Sequence, residues 1–296
     1  MKRDFLALSD FTVEEHAALF RRAAELKAAR GRGEVIRTLE GRTLLLLFEK
    51  HSTRTRLSFE AAIGQLGGSA ITLPMQDSQI SRGESLDDTA AVASRYVDAI
   101  MYRTYGEDRL RALARASMVP VINGLSDGGH PVQLLADLFT VHERFGSVRG
   151  KVVAWVGDGA SNMARSWIEA ARLFAFTLRI SAPEGFNPPR ASGFEIVPEP
   201  REAVRGADVV TTDVWISMGQ EKEAAARRKA FAGYCVDEAL LGRAKPSAIV
   251  LHCLPAHRGE EISAGVIDGP QSAVLDEAEN RLHVQKALLE ALILRR

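Results

Sequence analysis

The chain has 296 residues, 46% of them hydrophobic, with 38 Lys+Arg balanced by 38 Asp+Glu. That length and apolar content suffice for one large or two modest cores, and two are expected. Balanced charge gives no electrostatic reason to expect nucleic acid or an anionic membrane surface, and no apolar run approaches the roughly 18 to 20 residues of a membrane helix, so the expected partners are small molecules.

In chain order, Asp10 or Thr12 is placed to cap an amphipathic helix in which Ala17, Leu19, Phe20, Ala23, Ala24 and Leu26 recur at helical spacing. "RTLLLLFEK" predicts a buried strand. A helix over about Thr53 to Leu66, a short strand "SAITL", a polar loop "PMQDSQISRGES", a helix through Tyr96, a strand "DAIMYRT", a helix near "EDRLRALARAS" and the apolar "VPVINGL" follow. Strand and helix alternate, which predicts an α/β fold with parallel sheets covered by helices.

"PVQLLADLFTVHERFG" has Pro at its start and Gly at its end and predicts a helix connecting two domains. The pattern then restarts with strand "KVVAWVGD", a helix over Met163 to Phe174, strand "TLRISAP", a short "FEIV", a helix near "PREAVRGA", strands "DVVTTDVW" and "SAIVLHCLP", and a closing amphipathic helix "AENRLHVQKALLEALILRR". The expected organisation is two similar-sized domains joined by interdomain helices: 1–134, with 277–296 packing back on it, and 135–276. The polar "GQEKEAAARRKAFAGY" reads as an exposed loop or a mobile, partly helical segment. Cys235 and Cys253 are too few for a disulfide framework, and "MKRDFLALSDFTVEEH" lacks a continuous apolar signal core, so a reducing cytoplasm is the expected setting.

Several stretches carry chemistry. Ser52, Thr53, Arg54 and Thr55 fall where a buried strand becomes a helix, so unpaired N–H groups, the helix dipole, hydroxyls and a guanidinium can together hold a phosphate; a Ser/Thr cap with solvated arginines is the plainer reading. Arg103 follows a strand, at the ligand edge of an open α/β sheet. His130 and Gln133 flank Pro131 at a helix start, where imidazole and amide can donate to a carbonyl oxygen as an oxyanion hole does, unless His130 is a simple cap.

In "VVAWVGDGASN", Gly157 and Gly159 follow a strand as in a dinucleotide fold. Asn162 stands where the third glycine is required, which weakens a nicotinamide reading. Asp213 ends a strand and could bind a substrate amine, or cap its loop. "IVLHCLPAHRGEE" suggests a Cys–His pair, but alternation along a strand is expected to send His252 and Cys253 to opposite faces, and the spacing with His257 does not suit zinc.

Taken together these stretches resemble the ornithine carbamoyltransferases, from "FLALSDFTVEE" to "AENRLHVQKALL". "STRTR", "HPVQ", "DVWISMG" and "HCLPAHRGEE" occur in that family's order. The first two are shared in form with aspartate carbamoyltransferases, whereas the Ser-Met-Gly and His-Cys-Leu-Pro stretches mark the ornithine branch, and "SQISRGES" lacks the lysine expected of the aspartate branch.

The resemblance implies that Ser52, Thr53, Arg54, Thr55 and Arg103 hold the phosphate of carbamoyl phosphate. Arg103, His130, Gln133 and Thr55 would surround its carbonyl, and Gln79 would be lent to a neighbouring subunit. Leu125, Asn162, Asp213, Ser217 and Met218 would take L-ornithine, and Cys253, Leu254 and Arg281 would close the pocket. Arg103, His130, Asp213 and Cys253 are the implied catalytic residues. The family needs no metal or organic cofactor and forms trimers or assemblies of trimers. Departures are few: His51 before "STRTR", Ser161 before Asn162, and Gly128-Gly129 before His130. Transfer to another amine such as putrescine or a modified ornithine, and a sensor without turnover, are the alternatives.

Overall fold

Residues 2–217 and 219–294 are described by the computed structural model of the chain. They form two compact units, 2–136 with 279–294 and 137–278, and both crossings of the chain fall inside helices.

In the first unit, Thr12 caps α1 (Val13–Gly31) through a reciprocal box: its hydroxyl accepts from Glu15 N–H, and the Glu15 carboxylate accepts from Thr12 N–H at 2.9 Å. Thereafter β1 (Thr43–Phe48), α2 (Thr53–Gln65), β2 (Ser69–Pro74), α3 (Leu86–Ala93), β3 (Ala99–Arg103), α4 (Glu107–Ala116), β4 (Val121–Leu125) and α5 (Pro131–Phe145) alternate, the later turns of α5 belonging to the second unit. The four strands are parallel in the order β2-β1-β3-β4. The run Thr43–Phe48 is apolar almost throughout because β1 is central and covered on both faces, and Leu44, Leu46 and Leu47 are fully buried.

The second unit repeats the scheme with β5 (Val152–Val156), α6 (Asn162–Phe174), β6 (Thr177–Ser181), β7 (Glu195–Ile196), α7 (Pro200–Val204), β8 (Val209–Thr212), α8 (Ala224–Ala230), α9 (Glu238–Leu241), β9 (Ile249–His252), α10 (Ala264–Ile267) and α11 (Val274–Ile293), whose later turns belong to the first unit. Its sheet is also parallel, in the order β7-β6-β5-β8-β9. Among the described residues no helix is long and apolar enough to cross a membrane.

The strand orders fix where ligands can approach. The direction in which successive strands are added reverses in the first sheet between β1 and β3, which run parallel with Phe48 and Arg103 in register, and in the second between β5 and β8. Crevices beyond the carboxyl ends of strands at such switch points are where open α/β sheets bind ligands.

The polar segment expected as an exposed loop or a mobile, partly helical stretch is partly helical, containing α8, but Arg227 and Phe231 within it are buried rather than exposed. Short helices α9 and α10 escaped the periodicity, since four residues make barely one turn.

Candidate functional site

At the first switch point, Ser52 is the N-cap of α2 and its hydroxyl accepts from Thr55 N–H at 3.3 Å. The first turn of α2 contains no acidic residue, so the positive end of the helix is not neutralised from within. Thr53 is exposed, Arg54 is half-buried, and Thr55 is fully buried.

Arg281 of α11 ties this turn to α5, its Nη2 donating to Thr55 Oγ1 at 2.9 Å and its Nη1 to Gln133 Oε1 at 2.7 Å. The bidentate reach of a guanidinium suits this bridging. Arg103, at the end of β3, is also buried, as is His130. The His130 carbonyl accepts from the N–H groups of Gln133 and Leu134, so the backbone opens α5 there. Leu125 ends β4, and its carbonyl accepts from Thr104 N–H at 3.0 Å.

Burial pushes the His130 imidazole well below its usual range, and the charges of Arg281, Arg103 and Arg54 push the same way. The ring is therefore neutral at physiological pH. It can donate one hydrogen bond without adding a charge to an already cationic cluster. Gln79 stands apart: it begins a 3-10 turn, is exposed, and no hydrogen bond joins it to the Thr55–Arg281 cluster.

Glu49 was not singled out from the sequence, yet it borders the β1–α2 turn. Burial opposes its ionisation, but hydrogen bonds from Thr104, Tyr102 and Arg109 outweigh that and hold the carboxyl below its usual range. Its charge is consumed locally. Lys50 beside it donates to Asp127 at 2.6 Å and lies over the Tyr105 ring at 4.1 Å.

In the second unit, Ser161 caps α6 by accepting from Ala164 N–H, and Asn162 is the first helical residue. Asp213 follows β8. Its Oδ1 accepts from Val214 N–H at 2.8 Å and from the Cys253 thiol at 3.3 Å. Burial raises the Asp213 carboxyl above its usual range, and burial together with the Asp213 charge raises the Cys253 thiol well above its own. Cys253 is thus a thiol donor here rather than a thiolate nucleophile.

His252 and Cys253 do not alternate to opposite faces of a strand as expected. β9 ends at His252, so alternation no longer governs Cys253, and one ligand atom each from Asp213, His252 and Cys253 lies within 4.8 Å of the others. They still form no dyad. Nδ1 of His252 accepts from Leu254 N–H at 2.9 Å, which leaves the proton on Nε2, 3.1 Å from Glu261 Oε1. No lone pair of that ring remains for a metal ion. Leu254 sits at φ 57°, a rare conformation for a branched side chain and a common one at functional sites.

The loop after β8 is held from an unexpected quarter. Arg227 donates to the Trp215 carbonyl and pairs with Asp158 in the β5–α6 turn, while its guanidinium lies over the Phe186 and Phe231 rings at 4.8 and 5.4 Å. Trp215 stacks on Phe231 with centroids 5.7 Å apart. Ser217 is fixed by its backbone, donating from N–H to Gln220 Oε1 at 3.0 Å; Met218 lies outside the described residues. Arg227 was missed because an arginine in a polar run looks solvated, and only Phe231, four residues on, hinted at a buried face.

Gly157 and Gly159 have local reasons that need no dinucleotide. Gly157 adopts φ +140°, and a Cβ on Gly159 would come within 2.8 Å of Pro188 and 3.1 Å of the Phe186 carbonyl. They accommodate chain packing around β5.

Known proteins are similar to the chain over nearly its full length. Residues 3–143 match the family described as aspartate/ornithine carbamoyltransferase, carbamoyl-P binding domain, and residues 149–292 match its Asp/Orn binding domain. The chain is 53% identical to an ornithine carbamoyltransferase of Burkholderia cenocepacia, over 99% of this chain and 97% of that protein. It is 52% identical to that of Geobacter sulfurreducens, over 99% and 100% of the two chains. Solved structures of ornithine carbamoyltransferases superpose closely. That from Pyrococcus furiosus has TM-score 0.94 at 47% identity, covering 100% of this chain and 98% of that one, and that from Burkholderia thailandensis has 0.92 at 50%, covering 99% of each. With both family domains matched across nearly its full length, the chain belongs to the aspartate/ornithine carbamoyltransferase family.

Proposed function

We propose that the protein transfers the carbamoyl group of carbamoyl phosphate to the δ-amine of L-ornithine, giving L-citrulline and phosphate, as a step in cytoplasmic arginine metabolism. The observation that carries this reading is the buried Thr55–Arg281–Gln133 cluster, with Arg103 and His130, at a parallel-sheet switch point. A dianionic phosphate would sit against the α2 N-terminus on Ser52, Thr53, Arg54, Thr55 and Arg103. The carbonyl oxygen would face Arg103, His130, Gln133 and Thr55, with Arg281 beside it; Leu254, on the second unit, is a further candidate carbamoyl-phosphate residue.

On the second unit, Asp213 with Asn162, Ser217 and Met218 would hold the α-amino and α-carboxylate groups of ornithine; Leu125, at the end of β4 on the first unit, is a further candidate ornithine residue. A δ-ammonium titrates near the lysine value of about 10.4, so it must lose its proton before attack. Asp213 and the Cys253 thiol are the polar groups that would accompany the amine. As the N–C bond forms, the carbonyl oxygen gains charge that Arg103 and neutral His130 stabilise. Collapse then breaks the C–O bond to phosphate, which departs with the electron pair, and the nitrogen releases its proton. Neither a covalent intermediate nor a cofactor is required.

Gln79, exposed on its 3-10 turn, would serve a neighbouring subunit of a homotrimer or assembly of trimers. An active monomer on gel filtration would remove that part. The whole reading is tested by colorimetric citrulline assay with ornithine, putrescine, N-acetylornithine and aspartate as separate acceptors. Carbamoyl transfer confined to ornithine is expected. Transfer to another amine would overturn the assignment of Asn162, Asp213 and Ser217, and no transfer at all would make the protein a sensor.

A further inference from the structure

A cavity of about 460 Å³ lies in the first unit, well within the size range of small-ligand sites. Its wall includes the last turn of α1, the segment 33–37, the C-terminal end of α2 and Lys286 of α11. The α2 turn that carries Ser52–Thr55 is at the other end of that 13-residue helix, roughly 18 Å away along its axis.

Lys286 is 4% exposed, yet its ammonium has no hydrogen bond or ion pair among the described residues. The nearest candidate counter-ion one turn on, Glu290, is already engaged: Arg22 donates to it at 2.6 and 2.9 Å, and Thr38 donates to the same carboxylate. Burial, followed by the charge of Arg30, brings the Lys286 amine down to about 8, with Glu290 opposing the shift.

The rest of the wall lacks anions to spare. Arg30 and Arg37 line it, and the one carboxylate, Glu34, is paired with Arg32 at 2.6 Å. Gln65, also in the wall, has a buried Oε1 with no hydrogen-bond partner. A buried cation without a counter-ion is costly, and a cavity beside it is where a counter-ion can enter.

We propose that this cavity is a second ligand site for a small organic anion, whose carboxylate or phosphate pairs with Lys286, Arg30 and Arg37 while a donor group reaches Gln65 Oε1. The site is independent of the carbamoyl-transfer reading, since it shares no residue with either half-site.

The test reads Lys286 directly. The full chain is labelled with acetic anhydride at pH 8, and the Lys286 peptide is quantified by mass spectrometry without anion, with succinate, and with inorganic phosphate. An anion beside the amine raises its affinity for a proton by about one pH unit, so labelling should slow about fivefold. Protection by succinate alone assigns a carboxylate ligand, and protection by phosphate alone assigns a phosphate. The Arg30→Met/Arg37→Met double variant should lose the protection. Lys286 that never labels, labelling unaffected by both anions, or protection that survives the double variant would each overturn the proposal.

Discussion

Replacing Arg281 by methionine keeps an unbranched apolar stem and removes the guanidinium that joins α2 to α5. Thr55 Oγ1 and Gln133 Oε1 would lose the donors now at 2.9 and 2.7 Å. Hydrogen bonds to charged groups contribute about 1.5 to 3 kcal/mol, so if Thr55, no longer positioned by Arg281, forfeits its contact to a bound phosphate, binding should weaken about 10- to 150-fold. Titration calorimetry with inorganic phosphate reads this directly. A second effect has a defined sign. Burial is the first cause of the lowered His130 affinity for protons and Arg281 is the next, so removing Arg281 should move the His130 titration upward, toward the ordinary histidine value, by NMR. Phosphate affinity within about threefold of wild type, under ~0.7 kcal/mol, together with an unmoved His130 titration, would refute the view that Arg281 organises the anion site.

His130→Ala should lower kcat for citrulline formation about 100- to 1000-fold, the usual loss of an oxyanion donor, and a kcat near wild type would remove His130 from that role. Asp213→Asn keeps an acceptor for Val214 N–H and the Cys253 thiol but removes a carboxylate whose folded state holds its proton more tightly than the unfolded chain does. The stability Asp213 contributes is therefore full at low pH and lost as pH rises through its folded value. At pH 7 the Asn variant should melt higher than wild type by scanning calorimetry while losing its response to ornithine. His283 behaves oppositely: burial, then Lys286, lowers it to about 4, so the stability it contributes is present above the unfolded value of about 6.5 and is lost as pH falls through 4. Between pH 7.5 and 5 this amounts to about 2 kcal/mol, and urea unfolding of His283→Gln should show that much less acid sensitivity than wild type.

Much of the architecture was legible because its signals are local. "TLLLLF" is apolar without alternation, as a central parallel strand must be, and Ser52 and Thr12 announce helix starts through hydroxyls that reach only their own first turn. The motifs at strand ends were legible for the same reason, since a strand end followed by a helix start is a short-range pattern. Arg227 was not: its partners Asp158 and Trp215 are 69 and 12 residues away, and nothing near it in the chain distinguishes it from Arg228, which is exposed.

The sequence by itself determined the alternation of strand and helix, the apolar strands and the residue types gathered at their ends. Those follow from periodicity, capping and steric preference over a few residues. Tertiary structure alone decided that Arg281 reaches Thr55 and Gln133 across 226 and 148 residues, that Glu49 is neutralised by Arg109, and that His252 commits both ring nitrogens away from Cys253. Hydrogen bonds and charge interactions act over a few ångströms of space, and the strand order that brings distant segments within that range is a property of the folded sheet.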